Sequence, residues 1–135
     1  MGSVIAGYSR SPFTRAMKGD LARIRPDDIA AKVVNSLISN LELDPNLVED
    51  IIVGTAFPEG EQGFNLARII SFLSDLPESV PGVTINRFCG SSMQAIHDAA
   101  GRISMGAGEA FIAGGVESMS RIPICLKVLL IFFAK

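Results

Sequence analysis

The clearest hydrophobic pattern in the chain follows Pro26. Apolar residues recur there every four positions, and a second such row widens the stripe: Ile29, Val33, Leu37 and Leu41, then Ala30, Val34 and Ile38. That spacing is typical of a helix that packs one face on a sheet. Pro26 in a first-turn position, and the Asp27 and Asp28 carboxylates near the positive end of the helix dipole, are helix-start signals. The pattern therefore predicts a core-facing helix that begins at Pro26.

Short apolar runs alternate with helical patterns along the rest of the chain. The predicted strands are Val4–Tyr8, Asp50–Gly54, Val83–Asn86 and Glu109–Ala113. Two further helical stretches lie between them, with apolar faces formed by Leu66, Ile69, Ile70 and Leu73 and by Ile96, Ala99, Ala100 and Ile103. We interpret Ser9–Phe13 as a surface loop that places Phe13 in the core. The alternation predicts an α/β domain with a mainly parallel sheet and right-handed crossovers.

The length and charge of the chain indicate which kinds of binding partner to expect. A chain of 135 residues is long enough for one domain with a real core. The formal net charge is −2, and the 12 basic and 14 acidic residues are spread without a basic stripe. The apolar run within residues 124–135 is shorter than the roughly 20 residues that a spanning helix needs. Neither nucleic acid nor a membrane is therefore an expected partner.

The cysteine and histidine content indicates the compartment. Cys89 and Cys125 are the only cysteines and His97 is the only histidine, so the ligand clusters of zinc sites are missing from the sequence. The cysteine density of secreted scaffolds is missing too. The first residues show no secretory signal, and Ala6 breaks the myristoylation pattern. We expect a reducing, cytoplasmic setting and no metal.

Cys89 is the best candidate for a nucleophile because of its place between a predicted strand and a predicted helix. Free backbone N–H groups and the positive end of a helix dipole favour a thiolate over a thiol. Gly90 would let a substrate approach the backbone, and the small Ser91 and Ser92 would leave room for a thioester above the sulfur. By cysteine identity alone, a small, buried and inert residue is the more common alternative.

Three other features carry no catalytic assignment. Helix-start electrostatics explains Asp27 and Asp28 better than acid/base catalysis does. Gly106–Gly108 follows a helix and precedes a strand, which is the reverse of the order in a dinucleotide-binding loop. His97 lies two turns along the helix after Cys89, where its side chain does not easily reach the sulfur. We interpret it as a surface or half-buried residue.

Two motifs resemble the thiolase family. They are Asn86–Ile96, with the sequence NRFCGSSMQAI, and Gly114–Ser120, with the sequence GGVESMS. The resemblance runs from Val4 to about Pro123 and covers only the first third of such an enzyme. It implies a three-layer, thiolase-like α/β domain with a mainly parallel sheet, truncated here. Residues 1–123 would form an incomplete nucleophile domain, and residues 124–135 would be an apolar tail unlike the family.

The resemblance also implies a reaction. Cys89 would take an acyl group from a coenzyme A thioester and form an acyl-enzyme, with its own backbone N–H as a candidate oxyanion donor. Acyl-CoA is the implied substrate, and no separate cofactor is implied. In the family an Asn, a His and a second Cys from later in the chain assist this cysteine. We therefore expect the 135-residue chain to show no turnover by itself.

Two functional alternatives stay open. One is a noncatalytic acyl-CoA-binding or interaction module of the same fold; the other is a decarboxylating ketoacyl synthase of the superfamily, which both motifs disfavour.

The tail has two interpretations as well, a shifted reading frame or early stop, or a strand that replaces a missing partner. Because family members are dimers or tetramers, and because an incomplete sheet leaves an edge uncovered, a homo-oligomer is the expected assembly.

Overall fold

The computed structural model describes residues 2–122, which contain three helices and three strands in alternating order. Of three short 3-10 helices, the first precedes the main elements and the other two lie between them: Asp20–Arg23, Pro45–Leu47 and Gly60–Gln62. In chain order the main elements are α1 (Pro26–Leu41), β1 (Asp50–Gly54), α2 (Leu66–Leu73), β2 (Gly82–Ile85), α3 (Ser91–Ser104) and β3 (Phe111–Gly115).

The three described strands form one parallel sheet in the order β2-β1-β3. Ile52 of the central strand pairs with Val83 on one side and with Ala113 on the other. Parallel neighbours need crossover connections, and α2 and α3 provide them. The predicted α/β class with a parallel sheet is confirmed.

The sheet separates two hydrophobic clusters, so the domain has three layers. Ile51 and Val53 face a cluster with α1 and α2, and Ile52 faces the opposite way. This alternation follows from the two-residue period of a strand. Side chains of α1 and α2 fill the first cluster, and side chains of α3 fill the second: Ala31, Val34, Leu66, Ala67 and Ile70, then Ala95 and Ala99. The three-layer arrangement is therefore as predicted.

The buried faces of two helices differ from the predicted faces. In α3 the buried positions are Ser91, Ala95 and Ala99, and Ile96 is 45% exposed. Small residues face the sheet because the helix start lies close to the strand ends, which leaves no room for larger side chains. The predicted face was therefore right at Ala99 and wrong at Ile96.

In α1 the predicted apolar stripe is divided between two neighbours. Ala31 and Val34 are buried in the sheet-facing cluster. Ile29 and Val33 instead line a cleft with Leu21, which precedes the helix. The wide stripe in the sequence thus reflects packing on two sides, a difference that helical periodicity alone does not reveal.

Two predictions for the N-terminal region were wrong. No strand is present at Val4–Tyr8 within the described residues, and Val4 and Ile5 are 85% and 78% exposed. A strand forms only where a neighbour completes its ladder of hydrogen bonds, and none of the three described strands pairs with this segment. Phe13 is 89% exposed and lies beside the Arg10 guanidinium, 5.5 Å from its ring centre, so it does not enter the core.

The last strand begins two residues later than predicted, at Phe111. Gly106 and Gly108 adopt positive φ angles of 73° and 151° in the preceding turn. That turn, which glycine permits, delays the start of the strand. No helix among the described residues is both long and apolar enough to cross a membrane.

Candidate active site

The carboxyl ends of the three strands lie level at one edge of the sheet. The register pairs Gly54, the last residue of β1, with Ile85 and with Gly115. Helix α3 begins at the same edge, at Ser91. Ligand sites of open α/β sheets gather at such an edge, where loops and helix starts meet.

Two glycines let the start of α3 lie directly against this edge. A Cβ atom at Gly54 would be 2.4 Å from the Ser91 carbonyl carbon, and one at Gly115 would be 2.1 Å from the Ser92 Oγ. Neither position tolerates a side chain without movement of its neighbours. The two sequence motifs therefore meet in space, as predicted from the topology.

Cys89 lies in the turn that joins β2 to α3. Its side chain is exposed, and Phe88 before it adopts a positive φ of 48°, which is uncommon for a bulky residue. The turn is closed by backbone hydrogen bonds of 3.1 Å from the Gly90 N–H to the Arg87 oxygen and from the Ser91 N–H to the Phe88 oxygen. The predicted place of Cys89 at a strand-to-helix turn is confirmed.

Ser91 has a structural role that the sequence did not show. Its side chain is 3% exposed, and its hydroxyl accepts from the Arg87 N–H at 2.8 Å and donates to the Phe88 oxygen at 2.6 Å. It therefore lies beneath the turn and stabilises it, whereas we expected a spacer above the sulfur. Ser92 is exposed, with its hydroxyl directed towards Gly115.

Backbone donors remain available around the sulfur. The hydrogen bonds that close the turn use the Gly90 and Ser91 N–H groups and not the Cys89 N–H. Helix α3 follows with 14 residues; its Ser91 N–H bonds the Phe88 oxygen, and the next N–H groups of its first turn have no partners inside the helix. Its dipole adds partial positive charge at the same place. The surroundings of Cys89 can therefore stabilise an anion.

A polar network joins the loop after β1 to the loop after β3. The Glu117 carboxylate accepts from the Ala56 N–H at 2.6 Å, from the Thr55 hydroxyl at 3.4 Å and from the Gln62 side-chain amide. Gln62 is fully buried, and its carbonyl oxygen accepts from the Ser118 N–H at 2.6 Å. Buried polar groups persist in folded proteins when they are hydrogen-bonded in this way.

Sequence reasoning missed the residues of this network. Thr55 and Glu117 follow the ends of β1 and β3 by one and two residues. Polar residues in these positions are brought together by the common edge of a parallel sheet, and that signal could have identified them. Gln62 gave no such signal, because it lies in a polar loop whose path only the structure shows.

An ion-pair cluster lies near this network. The Arg25 guanidinium donates to the Asp27 carboxylate at 3.0 and 2.6 Å, and it lies 3.6 Å from Glu61. Arg121 donates two hydrogen bonds to Glu61 and one of 3.0 Å to the Arg23 oxygen. The hydrogen bonds from Arg121 lower the pKa of Glu61, and its positive charge and that of Arg25 add to this effect.

The remaining sequence candidates lie apart from Cys89. Asp27 is 1% exposed, pairs with Arg25 and accepts from the Asp28 N–H at 3.0 Å, which confirms its helix-start role. His97 is exposed on α3, as expected. Cys125 and the predicted tail lie outside the described residues. Within residues 2–122, no group of histidine, cysteine or acidic side chains could hold a metal ion.

Comparisons with known proteins agree on one family. A sequence model described as "Thiolase, N-terminal domain" matches residues 3–133. The 3-ketoacyl-CoA thiolase of Bacillus subtilis (strain 168) is 44% identical over 122 residues, which are 90% of this chain and 31% of that protein. The 3-ketoacyl-CoA thiolase of Aeromonas salmonicida (strain A449) is 45% identical over 122 residues, 90% and 32% of the two chains.

A solved structure gives the same result. The crystal structure of the Bacillus anthracis acetyl-CoA acetyltransferase matches with a TM-score of 0.83 and 35% identity, over 91% of this chain and 31% of that chain. This chain therefore spans about a third of the length of its relatives. Because the family model covers nearly all of the sequence, the chain belongs to the thiolase family and matches its N-terminal domain.

Proposed function

We propose that this chain provides the nucleophile domain of an acyl-CoA C-acyltransferase. The observation that carries the proposal is an exposed cysteine, Cys89, at the start of a 14-residue helix, on the edge where three parallel strands end. Its thiolate attacks the carbonyl carbon of an acyl-CoA, a new C–S bond forms, and the coenzyme A thiolate leaves. The product is an acyl-enzyme on Cys89.

The geometry around Cys89 supports this step. The hydrogen bonds that close the turn do not use the Cys89 N–H, and this group is a candidate donor to the oxyanion. The three atoms nearest to a Cβ atom at Gly90 would all belong to Arg87, at 3.5–3.8 Å, which is ordinary contact distance, so close packing does not require glycine there. Glycine leaves this backbone open to a ligand. Phe88 and Met93 beside the cysteine are 71% and 53% exposed, an apolar setting suited to an acyl chain.

The complete reaction needs groups that residues 2–122 do not present. A Claisen-type transfer requires a base near the acetyl methyl group. His97, the only histidine of the sequence, is exposed on α3 away from the turn. The relatives are about three times longer than this chain. The proposed activity of the 135-residue chain is therefore acylation of Cys89 without turnover.

Acylation can be tested directly. The full chain is incubated with excess acetyl-CoA, digested, and analysed by mass spectrometry for an acetyl group on the peptide that contains Cys89. We expect acetylation of Cys89, its loss in Cys89→Ser and its retention in Cys125→Ser. We also expect no steady-state release of product from acetoacetyl-CoA and coenzyme A.

Two results would contradict the proposal. An unmodified Cys89 in a chain that still binds acetyl-CoA would favour a noncatalytic acyl-CoA-binding module of the same fold. Turnover that depends on Cys89 would mean that the chain supplies its own base. Binding and acylation are separated by isothermal titration with a nonhydrolysable acyl-CoA analogue.

The setting of the protein follows from the same proposal. A free, reactive thiol needs a reducing compartment, which supports the cytoplasm. A reaction on 3-ketoacyl-CoA would belong to fatty acid metabolism, because the curated relatives are 3-ketoacyl-CoA thiolases. We further propose a homo-oligomer, since both edge strands, β2 and β3, lack a second neighbour among the described residues.

A further inference from the structure

We infer that Glu117 and Asn86 are positioning residues that hold the Cys89 turn through a relay of three hydrogen bonds. The relay runs from the Glu117 carboxylate across the backbone of Ala56 and the side chain of Asn86 to the Phe88 N–H. Its catalytic meaning rests on the proposed function, in which Cys89 is the nucleophile.

The relay begins in the loop after β3. The Glu117 Oε2 accepts from the Ala56 N–H at 2.6 Å, a charge-assisted bond that joins this loop to the loop after β1. Gln62 and Thr55 donate to the same carboxylate, and Gln62 also binds the Ser118 N–H through its oxygen. Glu117 is thus fixed from several sides, although it lies at the surface.

Asn86 carries the relay to the turn. Its Nδ2 donates to the Ala56 oxygen at 3.0 Å, and its Oδ1 accepts from the Phe88 N–H at 2.8 Å. The side-chain amide of Asn86 therefore binds with both its NH2 group and its oxygen, the first to the neighbouring loop and the second to its own turn. A bond from an Asn oxygen to the N–H two residues on is an Asx-turn, which specifies local backbone direction.

The residue at the end of the relay is one that needs such support. Phe88 has a φ of 48°, a left-handed conformation that disfavours a bulky side chain. Strained residues persist at functional sites when the surrounding structure determines their conformation. The Asx-turn and the buried Ser91 hydroxyl are the contacts that do so here. Because Cys89 follows Phe88 directly, the same contacts set the direction of the sulfur.

Stability of the core is not the main purpose of this relay. Asn86 and Phe88 are exposed, and Glu117 is exposed apart from its carboxylate contacts. Loss of Asn86 therefore removes no buried apolar surface. A displacement of about 1 Å between reacting atoms can nevertheless cost roughly 100-fold in rate. The relay is consequently expected to affect reactivity more than folding.

The test uses the full chain with Cys125→Ser, so that Cys89 is the only thiol. Glu117→Gln keeps the shape of the side chain but places an NH2 group where the carboxylate accepts hydrogen bonds from the Ala56 N–H and the Gln62 amide. Asn86→Ala removes the side chain that carries the relay. Asn86→Asp keeps the acceptor for the Phe88 N–H and loses the donor to Ala56, so it also serves if Asn86→Ala does not fold.

Matched controls lie elsewhere in the chain. Asn35→Ala removes an Asn oxygen that accepts from the Asp75 N–H at 2.8 Å, the same kind of bond as in the relay. It lies on α1, on the face of the sheet opposite to α3. Glu78→Gln changes a carboxylate for which no ion pair is present among residues 2–122. Neither residue belongs to the relay.

Amide hydrogen exchange of Phe88, measured by NMR, tests the relay independently of any acyl transfer. We expect exchange at least about tenfold faster in Glu117→Gln, because Ala56, to which the Asn86 amide is bonded, loses its charge-assisted bond to the Glu117 carboxylate. Both control variants should exchange within about twofold of the parent chain. Unchanged Phe88 exchange in Glu117→Gln would overturn the relay.

Rates of Cys89 modification test the positioning role. Acylation by acetyl-CoA requires a defined approach, and alkylation by iodoacetamide is far less demanding. We expect the acylation rate to fall by about tenfold or more in Asn86→Ala and Glu117→Gln, and to fall further than the alkylation rate. Equal losses in the two rates, or losses no larger than in the controls, would overturn the role. Failure of the parent chain to acylate would instead contradict the proposed function.

Discussion

At the scale of single residues, polar side chains at the carboxyl edge hold the local geometry. Ser91 stabilises the Cys89 turn from below, and Gln62 joins two loops through Glu117 and Ser118. These contacts replace the hydrogen bonds that the buried groups would make to water, so the groups are buried without a large penalty. The edge is therefore specified by hydrogen bonds more than by apolar packing.

The ion pair of Glu61 with Arg121 leads to a pH-dependent prediction. Hydrogen bonds from Arg121 lower the pKa of Glu61 from its ordinary value of 4.5. A lowered folded-state pKa contributes stability above the ordinary value, and this stability is lost as pH falls through the folded-state pKa. We expect Glu61→Gln to lower the melting temperature at neutral pH, and this difference should close below about pH 4.5.

The measurement is thermal unfolding of the parent chain and the variant across that pH range. Glu78→Gln is the matched control, because no ion pair of the Glu78 carboxylate is present among residues 2–122. Its effect on melting temperature should be small at every pH. A Glu61→Gln effect that persists unchanged at low pH would show that packing, and not charge, explains the loss.

At the scale of elements, close approach between α3 and the sheet determines where the helix begins. Gly54 and Gly115 lie against Ser91 and Ser92, and Gly82 of β2 lies equally close to the Ala67 and Arg68 backbone of α2. All three glycines lie at strand ends, and glycine in a strand often marks such an approach of two backbones. Both crossover helices thus contact the sheet through glycine positions.

This packing predicts opposite effects for two neighbouring glycines. A methyl group at Gly54 would meet the Ser91 backbone at 2.4 Å, whereas one at Gly114 would meet no atom within 4 Å. Neither glycine has a positive φ within the described backbone. We expect Gly54→Ala to lower the free energy of unfolding by about 1–3 kcal/mol. Gly114→Ala should raise it by about 0.5 kcal/mol.

Urea unfolding followed by circular dichroism measures both effects, since a shift of midpoint at constant slope reports stability. Gly114→Ala serves as the control for the chemical change itself. Equal midpoints for the two variants would contradict close packing of α3 on the strand ends.

At the scale of the whole molecule, both edges of the described sheet are open. Strands β2 and β3 each have one neighbour, and apolar side chains remain exposed on the loops near the carboxyl edge, among them Phe64 and Met119. Open edges and exposed apolar groups favour association with another surface.

We therefore predict that the full chain forms at least a dimer at micromolar concentration. The predicted tail, which lies outside the described residues, adds the apolar run Val128–Ala134 to the sequence and is expected to contribute to association. Light scattering after size-exclusion chromatography should compare the full chain with a chain that ends at Pro123. A monodisperse monomer of the full chain would contradict the prediction, and an unchanged oligomer after truncation would place the interface in residues 1–123.

Several local features follow from the sequence alone. Apolar spacing and Pro26 predicted α1, β-branched residues predicted β1, and the position of Cys89 between two such patterns predicted its turn. These features depend on contacts between residues close in sequence, so the chain carries their signals locally. The motifs also sufficed to identify the family.

Other features were decided only by tertiary structure. Val4–Tyr8 has a strand-like composition, yet it stays unpaired because none of the three described strands adjoins it. The face that α3 buries, and the relay from Glu117 to Phe88, depend on segments that lie far apart in sequence. The physical reason is the same in each case: a hydrogen bond or a packed face needs a partner, and residue patterns specify the capacity to pair without specifying the partner.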